Sequence, residues 1–321
     1  MKKRLLALGV YSLFWLTFFI IARLFFILIQ NESSFSNSAG DLLATFTNGS
    51  KLDISTTGYF LAVPMLLILP GIWFSGRWYR LVIRWYTYFL ILLSSVIVVG
   101  DSILYSFWGF RMDYTPFMYL KTPAEAMASV STLKAIMFFL SIALFSGFFI
   151  AFYRKTADRF FEEMGPVKSK VVALPLFTIL LAALIIPVRG GFGIAPINAG
   201  SVYFSPTMFL NHTAVNAVWN VGTSAVTQKP VSNPYQFGDI DSASVLVSSL
   251  KNRKGSTEYV LTIEKPNILM LVLESFSGYV VGAVGGDSLV TPNLNRYARE
   301  GILFTEFLRQ EPEPTKLCRP Y

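Results

Sequence analysis

One oxygen-bearing side chain near the end of the chain, Glu274, is a candidate ligand for a divalent metal ion. Glu274 directly follows a short apolar run, residues 267–273, which has the length of a buried parallel strand. A carboxylate at the carboxyl end of such a strand lies where open α/β sheets bind ligands, and its hard oxygens suit Mg²⁺ or Mn²⁺. The alternative is an ordinary acidic residue exposed to solvent.

The residues after Glu274 predict the elements that would position it. Thr291 and Pro292 suit the N-cap and the first position of a helix, which we expect over residues 292–300 with Gly301 at its end. A second strand is expected at 302–307. Strand, helix and strand form the opening unit of an α/β domain, which we place at residues 263–321.

Histidine and cysteine, the usual soft metal ligands, are almost missing. The chain contains one His, His212, and one Cys, Cys318, so an intramolecular disulfide and a cysteine-based metal site are excluded. His212 has no second His or Cys nearby and is expected to make a simple polar contact, although a ligand role is the alternative.

The composition is that of a membrane protein. Hydrophobic residues make up 53% of the chain and charged residues only 14%, against roughly 25% in soluble domains. The net charge of +8 does not indicate a nucleic-acid partner, because the Lys and Arg residues lie in short loops between apolar runs. The expected partner is the lipid bilayer.

Five apolar stretches predict a transmembrane domain over residues 1–188. The expected spans are about 5–29, 58–74, 85–107, 134–153 and 171–188. With the N-terminus inside, three basic clusters fall on the cytoplasmic side and the outer loops hold few Lys or Arg, as the positive-inside rule requires. An inner or plasma membrane location, with a cytoplasmic N-terminus and an extracytoplasmic C-terminal segment, is therefore predicted.

Several segments carry narrower predictions. Arg23 interrupts the first span and is expected to snorkel or to pair within the bundle, and Asp101 is expected to pair with a neighbouring helix or to face water. Residues 108–133 predict either an amphipathic surface segment or a plain aromatic loop. Residues 189–262, rich in Gly, Pro, Asn and Ser, predict an extracytoplasmic linker.

The motif Lys265-Pro266-Asn267 through Leu273-Glu274-Ser275, followed by Thr291-Pro292-Asn293-Leu294, resembles the lipoteichoic acid synthase family, in the sulfatase branch of the alkaline-phosphatase superfamily. A five-helix anchor before an extracytoplasmic domain is similar to that family too. The resemblance implies that Glu274 binds a catalytic Mn²⁺ or Mg²⁺ and that a Thr nucleophile follows. Thr315 lies at about the right distance, but its neighbours Pro314 and Lys316 do not match the Gly-rich family pattern.

The chain departs from the family after Phe307. The family's further Asp and His ligands have no counterpart here, because no His follows His212. The resemblance therefore implies a product truncated or frame-shifted early in the catalytic domain, and inactive by itself.

The sequence is compatible with two classes of function. The first is a membrane-anchored, metal-dependent phosphotransferase or sulfatase-like hydrolase acting on a phospholipid headgroup or an envelope polymer. The second is a non-enzymatic five-helix module that binds lipid or a partner. A transporter is disfavoured by the odd number of spans, the lack of internal repeats and the few intramembrane carboxylates.

Overall fold

The structure is a computed structural model that describes residues 1–74, 77–118, 131–162, 167, 169–227, 240–251, 266–271, 273 and 276–304. It is built from α-helices and short 3₁₀ turns. The helices are α1 Lys2–Ile29, α2 Asn31–Phe35, α3 Ala39–Ile68, α4 Arg77–Trp108, α5 Thr115–Met118, α6 Thr132–Lys155, α7 Asp158–Glu162, α8 Lys170–Ala183, α9 Ile185–Arg189, α10 Met208–Ala214, α11 Ala217–Thr227, α12 Ile240–Lys251 and α13 Pro292–Glu300. The 3₁₀ turns are Pro70–Ile72, Ala199–Val202, Gly278–Val280 and Gly282–Val284.

Five helical segments in the described part of the chain are long and apolar enough to cross a membrane. They are Lys2–Ile29, Ala39–Ile68, Trp78–Trp108, Thr132–Lys155 and Lys170–Arg189. Each exceeds the roughly 20 residues that a hydrocarbon core requires, or matches it. The protein is therefore a multi-pass membrane protein, and the predicted number of spans is confirmed.

The second span differs most from its predicted bounds. It was expected at 58–74, but α3 begins at Ala39 and ends at Ile68, with Pro70 starting a 3₁₀ turn. Polar residues such as Thr45, Asp53 and Ser55 occupy its first half and lower the hydropathy that the prediction relied on. They are buried against other elements rather than exposed to lipid, so a polar helix is stable there.

Helix α1 forms the centre of the bundle through one aromatic face. Trp15 packs on Phe60 of α3 with ring centroids 4.5 Å apart, and Phe18 packs on Phe149 of α6 at 4.4 Å. Aromatic pairs at these distances add about 0.5–1.5 kcal/mol beyond the area they bury. Close side-chain packing of this kind holds membrane helices together where lipid removes the hydrophobic driving force.

Some of the basic residues that served as topology signals also make structural ion pairs. At the end of the bundle that contains Met1, Arg80 and Arg84 of α4 both contact Asp158 of α7, with N–O distances of 3.2 and 2.5 Å. Asp158 is buried, so these contacts fix α7 against α4.

The first compact unit extends from Met1 to Gln228 and thus beyond the predicted boundary at residue 188. Residues 198–227, here called the docked segment, contain a 3₁₀ turn, α10 and α11. They were predicted to be part of a linker. The structure differs, because Leu210, Ala214, Val215 and Trp219 are buried against the bundle.

The second unit, residues 229–321, is described mainly over residues 276–304. The helix predicted at 292–300 is confirmed as α13, with Pro292 at its start and Gly301 as its C-cap. Residues 266–271 and 302–304 form no strand in the described part of the chain. A strand needs a partner to satisfy its backbone, so the α/β domain stays a prediction.

Candidate functional site

A buried ion pair between α1 and α3 is the centre of the polar site. Arg23 Nη1 and Nη2 donate to Asp53 Oδ2 and Oδ1 at 2.9 and 3.0 Å. Each side chain is only 4% exposed. Charges inside a membrane domain are costly and usually functional. The prediction that Arg23 pairs within the bundle is confirmed, and two parallel bonds are the strongest geometry for such a pair.

The same pair binds the docked segment. Arg23 also donates from Nε to the carbonyl of Thr213 at 3.0 Å and from Nη2 to that of Ala214 at 3.2 Å. Asn216 Nδ2 donates to Asp53 Oδ1 at 2.8 Å. These carbonyls lie at the C-terminal end of α10, where a cation is favoured by the helix dipole. One salt bridge therefore joins three parts of the chain.

The absence of a side chain at Gly49 lets the Arg23 guanidinium and the Ala214 carbonyl lie close to helix α3. A Cβ built there would lie 2.5 Å from the Ala214 carbonyl oxygen and would overlap the Arg23 guanidinium. Real Cβ contacts do not come so close, so any larger residue must displace Arg23 or the docked segment.

Further hydrogen bonds fix the docked segment along the bundle. Trp219 Nε1 donates to Ser55 Oγ at 3.2 Å, and Asn220 Nδ2 donates to the Met112 carbonyl at 2.9 Å. The docked segment therefore contacts both α3 and the turn after α4, so it packs as part of the membrane domain.

A second buried pair lies between α4 and the turn that follows it. Arg111 Nη2 is 2.9 Å from Asp101 Oδ2, and the two side chains are 8% and 1% exposed. Asp101 Oδ1 accepts a hydrogen bond from the backbone N–H of Met112 at 2.7 Å. The Arg111 guanidinium carbon lies 4.1 Å from the centre of the Phe26 ring, a cation–π contact. Asp101 was predicted to pair with a neighbouring helix or to face water. It is buried and does form an ion pair, but its partner Arg111 lies in the turn after its own helix.

Both ion pairs line one small cavity. Its walls come from α1, α3, α4, the turn at Arg111 and the docked segment, and about 20 Å³ is open to the centre of a water molecule. Two arginines and two aspartates leave its lining without net charge.

His212 makes the polar contact that its isolation in the sequence predicted. Its Nδ1 lies 3.0 Å from the hydroxyl oxygen of Tyr105, and its ring also contacts Tyr203. Burial lowers the pKa of His212 below its usual value, and the nearby positive charge of Arg111 lowers that pKa further.

We expect the stability of the protein to fall as the pH drops below about 6.5, the ordinary pKa of His. Because the pKa is lower in the folded state, the unfolded chain binds more protons in this range, and the stabilisation present above it is lost. The measurement is the melting temperature in detergent between pH 7.5 and 5.5. His212→Gln removes the only histidine and should flatten this slope. An equal slope in both proteins would contradict the assignment.

Glu274, Thr315 and Cys318 lie outside the described residues, so the structure does not place the predicted metal ligand or nucleophile. Among the residues that are described, no group of three or more His, Cys, Asp or Glu side chains could hold a metal ion. Glu274 and Thr315 alone are fewer oxygen ligands than Mg²⁺ or Mn²⁺ requires. Glu274 and Thr315 therefore do not by themselves form a donor set that fits Mg²⁺ or Mn²⁺.

No family model and no solved structure matches the chain. The class that the fold and the site define is a five-helix multi-pass membrane protein with a polar cluster buried under a docked segment.

The buried polar cluster consists of Arg23, Asp53, Asp101, Arg111 and Asn216. Sequence reasoning missed three of these residues, Asp53, Arg111 and Asn216. Asp53 lies before the second span as it was predicted, at 58–74. Arg111 was counted only as a charge in an outer loop, and Asn216 lies in a stretch predicted to be linker. The available signal was the charge balance: Arg23, Asp53, Asp101 and Arg111 are two cations and two anions within or beside apolar spans. Such charges are stable in a membrane when they pair with one another.

Proposed function

We propose that the chain is the membrane-anchored part of a metal-dependent envelope enzyme, a lipoteichoic acid synthase-like phosphotransferase or sulfatase-like hydrolase. Its substrate would be a phospholipid headgroup or an envelope polymer in a bacterial inner or plasma membrane. The observation that supports it is α13, which begins at Pro292, inside the segment Thr291 to Leu294 whose sequence resembles the family. The five apolar helices before it suit the anchor.

In this proposal Glu274 is the first ligand of the metal ion. A carboxylate oxygen suits Mn²⁺ or Mg²⁺, and further ligands are needed to complete the coordination shell. Thr315 is the candidate nucleophile that the family resemblance implies.

We expect the purified chain to bind Mn²⁺ only weakly, because one carboxylate supplies too few of the oxygen ligands that such an ion requires. The bound fraction is measured by the loss of the free Mn²⁺ signal in electron paramagnetic resonance. Glu274→Gln should remove this binding. Glu258→Gln, which makes the same change outside the motif, should keep it.

Two results would contradict the role of Glu274. One is Mn²⁺ binding by Glu274→Gln that equals that of the unmodified chain. The other is equal loss in both variants, because that would indicate adsorption to acidic residues in general.

A non-enzymatic membrane module is the second candidate, and a different observation favours it. The five-helix domain and the docked segment form one compact unit, residues 1–228, which contains both buried ion pairs. All residues of the polar cluster belong to this unit, and none comes from the 93 residues that follow Gln228. The unit could therefore bind lipid or a partner by itself. Retention of lipid by the full chain after Glu274→Gln would be consistent with this candidate.

A further inference from the structure

Arg111 has donors for which the described part of the chain supplies no acceptor. Its side chain is 8% exposed, yet within the described part of the chain neither Nε nor Nη1 makes a hydrogen bond. Asp101 Oδ2 lies 2.9 Å from Arg111 Nη2 but lacks the alignment of a hydrogen bond, and so it also retains a free lone pair. Buried polar groups left in this state are costly and are usually satisfied by ordered water.

The small cavity at Arg111 has the size for one water molecule. About 20 Å³ is open to the centre of a water molecule, whereas a bound water needs at least about 10–15 Å³ and two to four polar partners. Arg111, Asp101 and Ser102 all line this cavity. Ser102 Oγ already donates to the carbonyl of Val98 at 2.8 Å and therefore presents a lone pair as an acceptor.

The charge of the lining selects a neutral ligand. Arg23 and Arg111 are balanced by Asp53 and Asp101 around the same cavity. An added phosphate or carboxylate would meet two buried carboxylates, and an added cation would meet two guanidinium groups. The unsatisfied atoms are both donors and acceptors, so the ligand must accept and donate hydrogen bonds. Water is the smallest molecule that does both.

We propose that this cavity is a structural hydration site that holds one ordered water between Arg111 and Asp101. The water oxygen accepts a hydrogen bond from Arg111, and the water donates to Asp101 Oδ2 and to Ser102 Oγ. It completes the bonding of the second ion pair beneath the docked segment. This inference rests only on the membrane domain and is independent of the proposed enzymatic function.

Hydroxyl-radical labelling of the full chain in lipid nanodiscs, read by mass spectrometry, tests the proposal. X-ray radiolysis converts bound water into radicals that hydroxylate neighbouring side chains. Phe26 lines the cavity and is 1% exposed, whereas Phe149 is 0% exposed and packs in the hydrophobic core away from it. We expect Phe26 to be labelled several-fold faster than Phe149. Equal rates would overturn the proposal, because burial alone would then explain both.

A variant and a structure give further checks. Combining Asp101→Leu with Arg111→Met removes the polar partners and should reduce the labelling of Phe26 to that of Phe149. An experimental structure of the full chain at about 2 Å resolution should show a density peak within about 2.7–3.2 Å of an Arg111 nitrogen and of Asp101 Oδ2. A peak-free cavity, or Arg111 donors bonded to protein oxygens, would overturn the site.

Discussion

Replacing Asp53 with alanine is expected to lower the free energy of unfolding by about 3–5 kcal/mol, the cost of leaving one partner of a buried pair uncompensated. Asp53 accepts hydrogen bonds from both terminal nitrogens of Arg23 and from Asn216. Its loss therefore leaves a buried guanidinium with only two carbonyl partners, those of Thr213 and Ala214. The effect should appear as a large drop of the melting temperature in detergent.

Asp41→Ala provides the matched control for this experiment. Asp41 belongs to the same helix, α3, but it is exposed and bonds only near the helix start, where its N–H is capped by Ser38. Its replacement should cost much less than that of Asp53. Equal losses would show that the buried pair contributes no more than an exposed acid. In a double-mutant cycle, Arg23→Ala with Asp53→Ala should cost less than the two single changes added together.

Gly49→Ala is expected to destabilise the protein strongly, by about 1–3 kcal/mol, as overpacking of a tight site does. The added methyl group would meet the Arg23 guanidinium and the Ala214 carbonyl oxygen at a separation that no relaxed structure allows. Either Arg23 leaves Asp53 or the docked segment moves away. Melting in detergent measures the loss, and faster proteolysis after α11 would reveal release of the docked segment.

Gly147→Ala is the same substitution in another long helix, α6. It should leave the free energy of unfolding unchanged or raise it slightly. A Cβ at position 147 meets nothing within 4 Å. Alanine has the higher helix propensity by up to about 1 kcal/mol. The contrast between the two variants isolates the crowding at Gly49 from any general effect of replacing glycine. If Gly147→Ala lowered the stability as much as Gly49→Ala, crowding at Gly49 would not be the cause of its effect.

The pattern of apolar residues was sufficient to predict the membrane domain. A span must satisfy its backbone polar groups through the hydrogen bonds of a helix and must present mainly apolar side chains to lipid. Length and hydropathy therefore identify it without tertiary information. This logic located four of the five spans to within a few residues of one end or both. It was least accurate for α3, whose polar first half only becomes stable once Asp53, Ser55 and Thr45 are buried by other helices.

A second local signal also worked, the helix start at Thr291-Pro292 and its end at Gly301. Pro fixes the backbone angle of the first turn, and a helix commonly ends at glycine, so α13 required no distant contact for its prediction. The strand at 267–273 is a different case, because strands are stabilised by pairing and a run of seven residues cannot supply its own partner.

Only the tertiary structure decided which charges meet. The sequence showed Arg23 and Asp101 as isolated ionisable residues in apolar spans, but Arg23 reaches Asp53, which is 30 positions away, and binds carbonyls 190 and 191 positions away. Such partners depend on helix packing and on the return of residues 198–227 to the bundle. The sequence by itself determined that the protein crosses a membrane. The packing determined its polar cluster, because a buried charge is stable only beside the particular partner that the fold brings to it.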